Sequence, residues 1–91
     1  MKVHINLNIS GRVQRVGFRY QTMKNANALG LKGFVRNDYE GSVYIEAEGE
    51  EADIEKFIDW CRIGPSMAVV EEVKTEKGKV IGFTSFEIRG Y

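Results

Sequence analysis

The chain has 91 residues, of which 43% are hydrophobic and 29% charged, and its 13 Lys and Arg balance 13 Asp and Glu. This length fits one domain, predicted to span residues 1–91, and the composition excludes a disordered chain. The sequence shows no secretory signal pattern and no apolar run of about eighteen residues, and one cysteine with one histidine cannot build an ordinary structural zinc site. We therefore expect a cytoplasmic protein that uses no metal and no other cofactor.

The charge is unevenly placed along the chain. Residues 1–45 contain seven Lys and Arg against two Asp and Glu, whereas residues 46–91 contain six against eleven. A protein that binds nucleic acid over a broad surface is usually basic throughout. The distribution therefore favours a local anion site in the first half of the chain.

The first half of the chain predicts strand one, a helix and a pair of strands. Apolar and polar residues alternate from Val3 to Ile9, which predicts a strand with one buried face. His4 falls on the polar face, where we expect a surface or cross-strand role. A helix is predicted over residues 18–29, with one face formed by Phe18, Thr22, Ala26 and Leu29. Strands two and three are predicted over residues 31–37 and 42–49, joined by a turn.

The second half predicts one helix and two strands. Apolar residues recur from Ile54 to Cys61 with helical spacing, and Gly64–Pro65 ends that helix. A cysteine on the apolar side of a helix indicates core packing, so we assign no chemistry to Cys61. Strands are predicted at about residues 67–75 and 83–89, separated by a polar turn.

The order of these elements is β-α-β-β-α-β with an additional C-terminal strand. It predicts an α+β, ferredoxin-like sandwich, in which two helices cover one face of an antiparallel sheet. In this topology strands one and two are parallel and strand three lies between them. The loop after strand one and the end of strand two therefore emerge at the same edge of the sheet, about 10 Å apart. A side chain from each can act on one ligand.

The stretch GRVQRVGFR, residues 11–19, lies between strand one and the first helix. Free N–H groups and the dipole at a helix N-terminus attract an anion. Gly11 and Gly17 allow the loop to curl around that anion, and Arg19 offers a bidentate guanidinium. The pattern favours a phosphate cradle. It lacks the Gly-Lys-Ser/Thr ending of a nucleotide P-loop, however, and a plain structural turn with solvated arginines stays an alternative.

GRVQRVGFR, followed by LGLKGFVRN, a turn with EGSV and a later GP, resembles the acylphosphatases, small ferredoxin-like enzymes that hydrolyse the carboxyl–phosphate bond of acyl phosphates. The resemblance covers essentially the whole chain. It implies that Arg19 binds the phosphate oxygens, that Asn37 positions the attacking water, and that the loop amides wrap the phosphate. The phosphate-binding residues that it implies are Gly11, Val13, Gln14, Arg15, Val16, Gly17, Phe18 and Arg19. We expect a small acyl phosphate as partner, with no nucleic acid or membrane, and a monomer.

Arg15 departs from the family pattern, which usually has glycine at that position. If the position requires a positive φ, an arginine there costs roughly 1–2 kcal/mol or shifts the loop. A phosphate-binding or nucleic-acid-binding module with little or no turnover is therefore the alternative function. From the residues alone, Asn37 can equally cap the turn of a hairpin. Arg12 is expected to add only general positive potential.

Overall fold

A computed structural model describes residues 1–90 of the chain. The predicted domain extends to Tyr91, which lies outside the described residues. The elements are β1 (Lys2–Arg12), α1 (Phe18–Ala28), β2 (Lys32–Asn37), β3 (Val43–Glu50), α2 (Glu51–Ile63), β4 (Val69–Gly78) and β5 (Phe86–Arg89). This order confirms the predicted βαββαβ arrangement with its additional C-terminal strand.

The strands form one sheet in the order β4-β1-β3-β2-β5. β3 pairs antiparallel with both β1 and β2, so β1 and β2 are parallel, as predicted. β5 pairs parallel with β2, from Gly33 opposite Phe86 to Arg36 opposite Arg89. The sheet is therefore mixed, because the chain crosses from the β4 edge to the opposite edge before it enters β5.

The core lies between the two helices and one face of the sheet, where alternate strand residues such as Leu7, Val35 and Ile45 are fully buried. The helix faces predicted from the sequence are the buried ones: Phe18, Thr22 and Ala26 in α1, and Ile54, Phe57 and Cys61 in α2. Burial raises the pKa of the Cys61 thiol well above its ordinary value, which agrees with a packing role. Neither helix within residues 1–90 is long and apolar enough to span a membrane.

The last two strands differ from the prediction in their bounds. β4 begins at Val69 instead of Met67 and continues to Gly78, and β5 begins at Phe86 instead of Phe83. The intervening segment, residues 79–85, is irregular because three of its backbone N–H groups donate to a side chain. The Glu48 carboxylate accepts from Ile81 at 2.5 Å, from Gly82 at 2.9 Å and from Phe83 at 3.0 Å.

His4 lies on the polar face of the sheet, as predicted, yet only 3% of it is exposed. It faces its strand partner Glu48, with 2.6 Å between His4 Nδ1 and Glu48 Oε2, which confirms the cross-strand role. The other ring nitrogen lies 2.8 Å from the side-chain oxygen of Asn6. Both contacts are with oxygen atoms that accept hydrogen bonds, which favours the doubly protonated imidazole. Phe83 belongs to residues 79–85, the crossing segment that runs over the polar face of the sheet. It stacks on the imidazole ring and excludes water from it.

Glu48 and His4 shift each other's pKa in opposite directions. Burial would raise the pKa of Glu48, but the N–H groups of the crossing segment and His4 lower it to about 2. Burial likewise would lower the pKa of His4, whereas its hydrogen bonds to Glu48 and Asn6 raise it above its ordinary value. The pair is therefore an ion pair that holds residues 79–85 across the sheet.

We expect Glu48→Gln to lower the free energy of unfolding by about 3 kcal/mol, since several buried donors lose a charged acceptor. Urea unfolding near pH 6 measures the change. The exposed carboxylate of Glu76 on β4 provides the control, because Glu76→Gln should change stability by less than about 0.5 kcal/mol. Equal losses in the two variants would contradict a special role for Glu48.

The same pair predicts how stability depends on pH. The lowered pKa of Glu48 gives stability that is fully present above its unfolded-state value of 4.5 and is lost as pH falls toward about 2. The raised pKa of His4 gives stability that is fully present below 6.5 and is lost as pH rises through the folded-state value. We expect the contribution of the pair to be largest between these limits. The free energy of unfolding should therefore vary less with pH in Glu48→Gln than in the parent protein. Parallel pH profiles of the two proteins would disprove the assignment.

Candidate active site

Two glycines with positive φ flank the loop between β1 and α1, Gly11 near the end of β1 and Gly17 at the start of α1. Gly11 has φ 124° at a bulge in the pairing with β4, and a Cβ there would lie 2.2 Å from the carbonyl oxygen of Val69. Only glycine fits so close to a neighbouring strand. Gly17, with φ 78°, is the N-cap residue of α1 and turns the chain into the helix. The two glycines fix where the loop leaves the sheet and where the helix begins.

The backbone N–H groups of residues 14–17 have no hydrogen-bond acceptor among the described residues. Within residues 1–90 none of them donates to a backbone carbonyl or to a side chain. The next N–H groups belong to the first turn of α1, which has no intrahelical acceptor for them. The loop and the helix N-terminus therefore present adjacent donors, as an anion site requires.

The side chain of Gln14 ties this loop to the turn between β2 and β3. Its amide nitrogen donates to the carbonyl oxygen of Asp38 at 2.8 Å and to that of Ser42 at 3.0 Å. One amide group thus holds the loop against the end of β2. Gln14, predicted to bind phosphate, lies against this turn, and phosphate contact by its backbone N–H stays a prediction.

The turn itself is closed by Asp38. Its carboxylate accepts from the backbone N–H groups of Glu40 at 2.9 Å and Ser42 at 3.2 Å, and from the Ser42 hydroxyl. Burial would raise the pKa of Asp38, but these hydrogen bonds and one from Asn8 hold it below its ordinary value. Asp38 therefore caps the hairpin, and the capping role considered for Asn37 is already filled.

A cavity of about 220 Å³ opens at the N-terminus of α1. It joins the loop, the first turn of the helix, the end of β2 and β5. The residues that line it are Val13, Arg15, Gly17, Phe18, Arg19, Tyr20, Asn37 and Ile88. The structure therefore brings together Arg19 and Asn37, the two residues for which the sequence predicts a catalytic role.

Arg19 and Asn37 enter the cavity without protein partners. Arg19 is the second residue of α1, and within residues 1–90 its guanidinium forms no ion pair and no hydrogen bond. Asn37 is the last residue of β2, 6% exposed, and its side-chain amide likewise has no hydrogen-bond partner among the described residues. Among the described residues the buried side-chain polar atom without a partner is Thr22 Oγ1, so the amide atoms of Asn37 are accessible to solvent instead of being buried unpaired. An unpaired cation and an unpaired amide in one cavity are suited to a polar, anionic ligand.

Three of the predicted phosphate-binding residues do not line the cavity. Gly11 lies at the strand bulge, Gln14 anchors the loop, and Val16 packs against the core. Their backbone contacts with phosphate stay predictions. Within residues 1–90, no group of three or more His, Cys, Asp or Glu side chains is placed to hold a metal ion.

Two residues that the sequence analysis did not select, Tyr20 and Ile88, also line the cavity. Both are partly exposed apolar residues, at 54% and 40%. Tyr20 follows Arg19 in the first turn of α1, so its position at the cavity could have been predicted from the sequence. Ile88 could not be placed because the sequence did not indicate which strand β5 would join.

Arg15 is the only residue other than glycine with a positive φ among residues 1–90, at 63°. Arg15 therefore adopts the left-handed conformation that glycine takes without strain. The cost of that conformation is roughly 1–2 kcal/mol. Its side chain is exposed, and Arg15 lies on the cavity wall with Arg19.

The whole chain is similar to one family. The family model described as Acylphosphatase matches residues 5–88. A relative from Moorella thermoacetica, an acylphosphatase, is 49% identical over 81 residues, which are 89% of this chain and 87% of the relative.

Solved structures of the same family share the fold. The structure of an acylphosphatase from Coxiella burnetii superposes with a TM-score of 0.94 at 35% identity, covering 97% of this chain and 93% of that one. The crystal structure of acylphosphatase from Bacillus subtilis superposes with a TM-score of 0.94 at 31% identity, covering 96% and 98%. The similarity therefore extends over nearly the full length of both chains.

We expect Arg15→Gly to raise the free energy of unfolding by about 1 kcal/mol, because relief of the left-handed strain outweighs the greater freedom of glycine in the unfolded chain. Urea unfolding measures the change. Arg12 has an ordinary φ at the end of β1, so Arg12→Gly should lower stability by about 0.5–1 kcal/mol. A loss in Arg15→Gly that matches this control would show that the loop is not strained.

Proposed function

Because the chain belongs to the acylphosphatase family, we propose that its loop amides, Arg19 and Asn37 together hydrolyse the carboxyl–phosphate bond of acyl phosphates. The observation that carries this proposal is the single cavity that joins an unpaired guanidinium, an unpaired amide side chain and the N-terminus of α1. The products are a carboxylate and inorganic phosphate.

Charge stabilisation comes from the loop and from Arg19. The phosphoryl oxygens carry the developing charge during transfer, and they would accept hydrogen bonds from the free N–H groups of residues 14–17 and from the Arg19 guanidinium. The loop donors are held before the substrate binds, since Gln14 and the two loop glycines hold the backbone. A preorganised site of this kind needs little rearrangement in the transition state.

Asn37 would hold the attacking water. Asn37 lines the cavity at the end of β2, and a water bound to its side chain would attack phosphorus in line with the departing carboxylate. An amide cannot accept a proton at neutral pH. The proton therefore passes to a phosphate oxygen of the substrate, and the carboxylate leaves without acid catalysis because it is already a good leaving group.

We also propose that the reaction does not depend on a metal ion. The positive charge that a metal supplies in kinases would come from Arg19, from the loop amides and from the dipole of α1. Turnover of benzoyl phosphate with EDTA present is the corresponding test.

Binding of nucleic acid is the less favoured function for this fold. Single-stranded RNA is usually read by aromatic side chains that stand free on the sheet. On this sheet the ring of Tyr44 is covered by the Arg36 guanidinium at 4.8 Å, and its hydroxyl donates to Glu46 at 2.7 Å. That aromatic ring is therefore already engaged, and we propose no nucleic-acid partner.

A monomer in the cytoplasm fits the same proposal. Every residue that lines the cavity comes from one copy of the chain, so the site needs no second subunit. Cys61 is a free, buried thiol, as is usual for a protein of a reducing compartment. Light scattering after size exclusion measures the oligomeric state.

We expect Arg19→Ala to lower kcat/KM for benzoyl phosphate by about 10³-fold and Asn37→Ala by about 10²-fold. Arg19→Lys should recover only part of the loss, because an ammonium group cannot reproduce the planar fork of the guanidinium. Steady-state hydrolysis, followed by the loss of benzoyl phosphate absorbance, measures these effects.

Matched controls exist on the same elements. Arg36 precedes Asn37 but faces the opposite side of the sheet, and Asn27 is exposed on α1. Arg36→Ala and Asn27→Ala should keep kcat/KM within about threefold of the parent value, as expected for positions outside the site. Full activity in both Arg19→Ala and Asn37→Ala would overturn the assignment of these residues.

A further inference from the structure

Arg15 occupies a backbone conformation that any other side chain would also find costly and that glycine adopts freely. Its φ of 63° is the one positive value at a residue other than glycine within residues 1–90. Strained residues of this kind persist where the surroundings fix the backbone, and they concentrate at functional sites. The backbone alone does not explain why an arginine stands here.

The surroundings of the Arg15 side chain leave its charge unneutralised. Within residues 1–90 it forms no ion pair, and the Asp38 carboxylate, in the turn that Gln14 contacts, already accepts hydrogen bonds from Ser42 and Glu40. The residue is exposed and lies on the wall of the same cavity as Arg19. The cavity therefore contains a second cation.

The phosphoryl group of the substrate does not require that second cation. Under the proposed function, Arg19, the free amides of residues 14–17 and the N-terminus of α1 supply the donors for the phosphate. The remaining wall is formed by Tyr20 and Ile88, which are apolar and partly exposed and suit a carbon skeleton. A substrate that matches the whole cavity has a phosphoryl group, an apolar body and a further negative charge.

We infer that the Arg15 guanidinium binds an anionic substituent on the acyl group, so that the enzyme favours acyl phosphates whose acyl part carries a carboxylate. This inference rests on the proposed function and makes it more specific. Arg15 is then a specificity-determining residue through its side chain, in addition to the phosphate contact predicted for its backbone.

The test compares benzoyl phosphate with 4-carboxybenzoyl phosphate, which differ only in one carboxylate that is ionised at neutral pH. At low ionic strength, Arg15→Gln should lower the ratio of kcat/KM for the carboxylated substrate to that for the plain one by about three- to fivefold, the size of a solvent-exposed charge pair. Arg15→Lys should retain most of the ratio. The ratio in the parent protein should fall as salt is added.

The control is Arg12→Gln. Arg12 is exposed and close in sequence but does not line the cavity. This variant should leave the ratio unchanged. An equal fall of the ratio in Arg12→Gln would mean that only the general field matters. Unchanged kcat/KM for both substrates in Arg15→Gln would mean that the side chain does not contact the acyl group. An equal loss with both substrates would place the guanidinium on the shared phosphate. Each of these three results overturns the inference.

Titration calorimetry with benzoylphosphonate and 4-carboxybenzoylphosphonate, which cannot be hydrolysed, repeats the comparison without turnover. If the parent protein bound both phosphonates but hydrolysed neither acyl phosphate, the proposed function would fail while the ratio of affinities still decided the role of Arg15. A preference for the carboxylated phosphonate that disappears in Arg15→Gln supports the inference, and equal affinities in the parent protein contradict it.

Discussion

Two parallel strands separated by a third determine where the functional groups of this protein lie. β1 and β2 point in the same direction because β3 pairs antiparallel with both of them. The loop after β1 and the last residue of β2 must therefore meet at one edge of the sheet. Arg19 and Asn37 are distant in sequence, yet both line one cavity for this reason. The hydrophobic alternation that buries one face of each strand also sets the register, so the core and the site depend on the same pairing.

The site gains its rigidity from the turn that follows β2. Asp38 closes that turn, Gln14 reaches across to two of its carbonyl oxygens, and the loop amides are thereby held with their N–H groups free. Free donors are costly to bury in a protein, which is why they remain at a solvent-accessible cavity rather than in the core. Unsatisfied groups of this kind have a use only where a ligand completes them. The arrangement is suited to a substrate whose charge is concentrated on three oxygens around one phosphorus atom.

Much of this organisation follows from the sequence. The order of elements, the two helix faces and the meeting of the first loop with the end of β2 were all predictable, because each rests on local periodicity and on a rule of strand connection. The path of residues 79–85 was not. It depends on three backbone hydrogen bonds to Glu48 and on the burial of His4 beneath that segment. Alternation places Glu48 on the polar face but cannot indicate that a distant segment will cover it. Ile88 could not be predicted for a similar reason, since its place beside the cavity depends on β5 joining β2.

At Arg15 the loop backbone and the side chain have different roles. The loop is held at Gly11 by the close approach of β4, at Gln14 by the hairpin turn, and at Gly17 by the start of α1. With these three points fixed, moving Arg15 out of the left-handed region would displace the amides that would face the phosphate. The backbone conformation is therefore imposed by the neighbours, whatever side chain is present. What the arginine adds is its positive charge at the wall of the cavity, so a change at this position alters ligand preference while the arrangement of the phosphate donors is retained.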